Sequence, residues 1–144
     1  MDYNKIVKKN IINIFKDVLK EIEKNGLNSN QSLYITFNTE DKNIIIPDWL
    51  KNKYPNKMTI IIQYEYWNLK IKNNSFLINL SFENIKVDLN IPYNSIISFV
   101  DPASNFGFNF AEGNKLDNSI KNKVGNKIKK NKNNVIDFKK FKKN

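Results

Sequence analysis

Apolar positions recur with a helical period over the first twenty-five residues: Tyr3, Ile6, Val7, Ile11, Ile12, Ile14, Phe15, Val18, Leu19 and Ile22. Lys8, Lys9, Lys16, Lys20, Glu23 and Lys24 fill the opposite side, which predicts one amphipathic helix from Tyr3 to Asn25. Asp2 is placed to cap its start, and Gly26 to end it in a left-handed conformation. Ile11, Ile12, Ile14 and Phe15 together cover more than half the circumference. A stripe that wide suits a helix with one edge on its own domain and the other on a second subunit. It also suits a helix set deep in a single domain.

Beyond Gly26 the period drops to two, and β-branched and aromatic residues dominate. Strands are expected at 33–38, 43–46, 59–66, 68–72, 75–82, 85–91, 96–100 and 106–110. Turn-forming pairs separate them, among them Asn73-Asn74, Glu83-Asn84 and Asp101-Pro102. Pro47 ahead of Asp48-Trp49-Leu50 suggests a short helical turn closed at Tyr54-Pro55. The fold class this predicts is mainly β within α+β: a helix followed by a small barrel or sandwich. Periodicity disappears from Gly113 to Asn134, where Asn, Lys and Gly give the composition of a disordered linker.

Charge changes this picture by dividing the chain. Residues 113–144 hold 11 Lys and 2 Asp, whereas residues 1–112 hold 13 Lys and 12 acids, so the net +10 belongs to the tail. A barrel that tracked a phosphate backbone would carry its own cationic groove. The near-neutral body therefore argues against nucleic acid as the main partner, and an RNA-binding module with a basic tail stands as the alternative. The last ten residues regain apolar character, with Val135, Ile136, Phe138 and Phe141 falling within seven positions around Asp137 and Lys139-Lys140. Exposed apolar side chains at the end of a polar tail point to a short recognition motif. The organisation expected is a folded unit at 1–112, a linker at 113–134 and a docking peptide at 135–144.

Candidate chemistry is sparse. The chain has no Cys and no His, which removes disulfides, thiolate or imidazole metal sites and the usual nucleophile–base pairs. Its four glycines are scattered, so there is no phosphate-cradling loop. Glu65, between Tyr64 and Tyr66, is the only unusual acid in a predicted strand; it fits an outward strand position or a ligand-contacting acid on a groove. No catalytic residue, metal or cofactor is expected. No apolar run reaches the roughly 20 residues of a membrane span, and Met1–Lys9 lacks a secretory apolar core, so a cytoplasmic protein is expected.

Several strings share a resemblance: Tyr34-Ile-Thr-Phe-Asn-Thr39, Leu50-Lys-Asn-Lys-Tyr-Pro-Asn-Lys-Met-Thr-Ile60, Gln63-Tyr-Glu-Tyr-Trp-Asn-Leu69, Leu80-Ser-Phe82, Ile91-Pro92, Phe99-Val-Asp-Pro102 and Phe106-Gly-Phe108. In this order they resemble the alphaproteobacterial branch of the stringent starvation protein B family, the specificity adaptors of the ClpXP protease. The likeness resumes at Val135–Lys143. It implies an Sm-like or SH3-like β-barrel, a homodimer to which the N-terminal helix contributes, and binding of the ssrA tag that marks stalled translation products. Carried over position by position, it implies a tag groove at Gln63, Glu65 and Ser81, with Tyr64, Phe82 and Phe99 as apolar walls. It further implies that Val135, Ile136, Asp137, Phe138, Phe141 and Lys142 dock on the N-terminal domain of ClpX. Where relatives often have Gly-Gly-Ile-Pro, this chain reads Glu83-Asn84-Ile85-Lys86, which predicts a loop of different shape beside the groove.

Overall fold

A computed structural model describes residues 1–110. The linker and docking peptide expected at 113–144 lie outside the described residues. Helix α1 spans Tyr3–Asn25, and the Asp2 side chain accepts the Lys5 N–H at its start. At the other end the Gly26 N–H closes on the Ile22 carbonyl at 2.8 Å. Gly26 has φ +73° as expected, but its ψ of −177° is extended and not left-handed helical. Only glycine adopts that combination without strain, and it turns the chain sharply away from the helix axis.

The chain continues through β1 (Leu33–Asn38), α2 (Asp48–Lys53), β2 (Lys57–Ile62), β3 (Trp67–Ile71), β4 (Ser75–Phe82), β5 (Ile85–Pro92), β6 (Ile96–Asp101) and β7 (Phe106–Asn109). A single 3-10 turn, Tyr93–Ser95, joins β5 to β6. Two antiparallel sheets result, one ordered β2-β1-β6-β7 and the other β3-β4-β5. The expected closed barrel is thus corrected to two sheets, with no strand pairing between them among the described residues. Phe15 of α1 supplies what joins them: its ring lies 5.8 Å from Phe76 of β4, 6.3 Å from Tyr93 and 4.8 Å from Phe99 of β6. Apolar burial against a helix takes the place of a closing ladder of hydrogen bonds.

Strand bounds differ from expectation by one residue at β3, β5, β6 and β7, and by more at two places. Residues 43–46 form no strand; only Ile45 bridges to Asn90, at 3.0 and 2.9 Å. Their backbone is engaged locally, with the Asn43 N–H donating to the Asp41 carboxylate, and Pro47 stops any extension. The strand expected at 59–66 starts at Lys57 and stops at Ile62. Its partner β1 begins at Leu33, which faces Ile62, so pairing runs out there in spite of the continuing alternation. Strand β7 likewise ends at Asn109, one residue early.

The core side of the larger sheet is built from Leu33, Ile35 and Phe37 of β1 facing Ile62, Ile60 and Met58 of β2, with Phe99 and Phe108 beyond. Ile11, Phe15, Leu19 and Ile22 of α1 pack into the same cluster as Phe76, Ile78 and Leu80 of β4. Full burial of each such side chain is worth roughly 1.5–3 kcal/mol. Lys16 ties the helix to the β3–β4 turn through the Asn73 carbonyl at 2.9 Å.

Candidate functional site

The chain leaves the larger sheet at Ile62 and enters the smaller one at Trp67, so Gln63, Tyr64, Glu65 and Tyr66 connect β2 to β3. Both of those strands are sheet edges. Trp67 faces Asn79 of β4, and no residue of β3 pairs with Leu80, Ser81 or Phe82, which bond to β5 alone. The far end of β4 therefore runs on past its neighbour β3. The described ladder ends at the Trp67–Asn79 pair, so Glu65 and Ser81 both lie beyond it.

Exposure separates these residues by role. Tyr64 is 76% exposed, a value far outside the range of a core tyrosine. Glu65 and Ser81 are exposed, while Gln63 and Phe82 are half-buried, Phe82 against the core. Two residues before Gln63, Ile61 faces Tyr34, where burial pushes the Tyr34 phenol up and a hydrogen bond from Ser32 partly offsets it. Gln63, Tyr64 and Glu65 thus lie in the connection that ends at Trp67, while Ser81 and Phe82 lie at the end of β4 beyond the Trp67–Asn79 pair. Phe99 does not join them. It is 1% exposed, pairs on the core face with Ile35 and Phe108, and stacks on Phe15 and Phe106.

Three residues not assigned to the site from sequence, Trp67, Asn79 and Lys86, stand near the end of β4. Ser81 faces Lys86 across β4 and β5, and the Lys86 ammonium sits 4.3 Å from the centre of the Trp67 ring. A cation held over an indole face is partly immobilised without an acid partner, so it brings positive charge beside Ser81. Asn79 forms the next row, accepting from the Asn68 amide and donating to Asp88. The Ser81–Lys86 pairing follows from the hairpin turn at Glu83-Asn84, whereas the place of Trp67 depends on the separate β3–β4 register.

That turn has φ +52° at Glu83 and +65° at Asn84, the two positive angles of a tight hairpin turn. A glycine pair would adopt them without cost, so the chain keeps the turn type expected of Gly-Gly with less favourable residues. The Glu83 carboxylate is engaged by the Lys53 ammonium of α2 at 2.6 Å, and that hydrogen bond and charge push the lysine pKa up. The pair pins α2 to the hairpin beside the exposed end of β4.

A family model, stringent starvation protein B, matches residues 5–141. The chain belongs to the stringent starvation protein B family. The match begins in α1, covers both sheets and the segment 63–66, and runs on to Phe141. Stringent starvation protein B is a family of adaptors and not of known enzymes. Among curated proteins, none matches the chain closely enough to count as a relative. Among the described residues no helix is long and apolar enough to cross a membrane, and no group of three His, Cys, Asp or Glu side chains is placed to hold a metal.

Proposed function

We propose that this chain is a cytoplasmic tethering adaptor that captures ssrA-tagged proteins and delivers them to the ClpXP protease. The observation that carries the reading is the reach of the family match, which extends from the folded unit across the linker into the apolar terminal segment. Capture falls to the connecting segment and the end of β4. Gln63 offers both a donor and an acceptor to the backbone of an extended peptide. The Tyr64 ring gives apolar cover, and Glu65, Ser81 and Lys86 supply polar contacts at the rim. Phe99, buried in the core, supports the strands and touches no tag.

Delivery falls to Val135, Ile136, Asp137, Phe138, Phe141 and Lys142, docking on the N-terminal domain of ClpX. A random coil of the length of 113–134, 22 residues, has an end-to-end distance of roughly 25 Å. Tethering over that distance presents a captured substrate at an effective concentration on the order of millimolar. Weak contacts at each end then suffice, and the adaptor itself uses neither ATP nor metal. Tyr3, Ile6 and Val7 stand exposed on the first two turns of α1 and offer a homodimer contact, which would double the number of tails.

Titration of labelled host tag peptide into the protein tests the capture step. Gln63→Ala should bind several-fold more weakly with the fold intact, since one hydrogen bond is worth on the order of 1 kcal/mol. Unchanged affinity removes Gln63 from the site, and failure of the parent protein to bind the tag overturns the reading.

A further inference from the structure

The C-terminal half of α1 and the β6–β7 hairpin enclose a second groove, of about 540 Å³, which shares with the expected tag site only the core residue Phe99. Its lining is apolar at Ile14, Val18, Leu27 and Phe106, of which Ile14 is 40% exposed. Asp17, Glu21 and Asp101 stand on it as well. Glu21 accepts from the Asn25 amide, and Asp101 accepts from the Ser104 N–H and hydroxyl. The sole ion pair among the described residues is Lys53–Glu83, so none of these three carboxylates has a cationic partner there. An apolar groove with a negative rim fits a peptide that alternates apolar side chains with cations.

This chain carries such a peptide in Val135–Lys143, where Val135, Ile136, Phe138 and Phe141 are interspersed with Lys139, Lys140, Lys142 and Lys143. We propose that the groove between α1 and the β6–β7 hairpin binds the terminal peptide 135–143 of its own chain. The connection is long enough. Strand β7, whose Phe106 lines the groove, ends at Asn109, and 24 residues, 111–134, separate Phe110 from Val135. Fully extended they reach roughly 80 Å, whereas a compact unit of this size has a radius of gyration of about 13 Å. At an effective concentration on the order of millimolar, even a contact with a millimolar dissociation constant keeps the peptide parked about half the time. Parking withholds the peptide from any other partner and weakens its apparent affinity there about twofold. That consequence rests on the adaptor reading; occupancy of the groove does not.

The absence of cysteine makes the test direct. A nitroxide attached to the full chain at Asn144→Cys should broaden the backbone amide signals of Val18, Glu21, Leu27 and Phe106 above those of the connecting segment 63–66. The broadening should fall several-fold at high salt and in the Asp17→Lys, Glu21→Lys double variant, both positions being exposed. Even broadening over the surface, or broadening that ignores salt and both substitutions, overturns the proposal. So does broadening seen only when labelled and isotope-enriched chains are mixed, which would assign the groove to a second copy. No arm uses tag or protease, so failure here is distinguishable from failure of the adaptor reading.

Discussion

The segment between β2 and β3 and the groove beside α1 are both partly apolar surfaces, yet they are built in opposite ways. The first lies where two sheet edges meet and where β4 outruns its neighbour, so it can offer backbone groups together with Gln63, Glu65 and Ser81. Much of the second is the flank of a helix whose backbone bonds are satisfied internally, leaving side chains as its main means of recognition. The first suits an extended peptide read partly through its main chain. The second suits a peptide read through apolar anchors and charge. On the two proposed assignments, two kinds of peptide are kept apart on one small unit.

Phe15 joins the two sheets on which the two regions are built, touching Phe76 of the smaller sheet and Phe99, which lines the groove. Phe15→Ala should therefore give the largest effect, a loss of about 3–5 kcal/mol read by denaturant unfolding. It should erode both surfaces together. A variant that lost one and kept the other would show that they do not share a base.

The comparison sharpens with substitutions confined to one region. Gln63→Ala should weaken tag binding several-fold and leave the broadening of the helix groove unchanged. Asp17→Lys with Glu21→Lys should do the reverse. Any crossover in tag titrations or in the nitroxide experiment would break the separation.

Much of this organisation was legible in the sequence because burial imposes a period. The helix, its Asp2 cap, and strands β1 and β4 fall where alternation and turn residues placed them. The barrel did not survive, because whether two sheets close depends on pairing between strands distant in sequence, and Phe15 fills that space instead. Gln63, Tyr64 and Glu65 continue the alternation of β2 yet leave the strand, since a strand persists only as far as its partner. Phe99 was misplaced for a related reason: motif position does not reveal which face of β6 is turned inward. The Trp67–Lys86 contact depends on a cross-strand register that only the folded hairpin supplies.

A smaller effect is expected at high pH. Burial pushes the Tyr93 phenol up to about 12, and its hydroxyl donates to the Lys72 carbonyl at 2.8 Å. The unfolded chain releases this proton near its ordinary value of 10, before the folded one does. This contribution to stability is therefore complete below pH 10 and is lost as pH rises through about 12. Tyr93→Phe should flatten that fall in alkaline denaturation while costing on the order of 1 kcal/mol at neutral pH. Because Tyr93 contacts Phe15, tag and groove readouts should move together in the parent protein as the pH rises.

The smallest effect is at the hairpin turn beside the first region. Glu83→Gly removes left-handed strain of about 1–2 kcal/mol and an exposed, solvent-screened ion pair of little weight. Thermal unfolding should show a slight net stabilisation, with tag affinity unchanged. A clear destabilisation would mean that the Lys53–Glu83 pair positions α2 against the end of β4 more strongly than exposed pairs usually do.

The central claim, that capture and delivery belong to separate parts of one chain, is tested most directly by degradation of an ssrA-tagged reporter by ClpXP at subsaturating concentration. The full chain should accelerate degradation. The chain lacking residues 135–144 should bind the tag equally well and give no acceleration. Equal acceleration by both, or none from the full chain, would contradict the account.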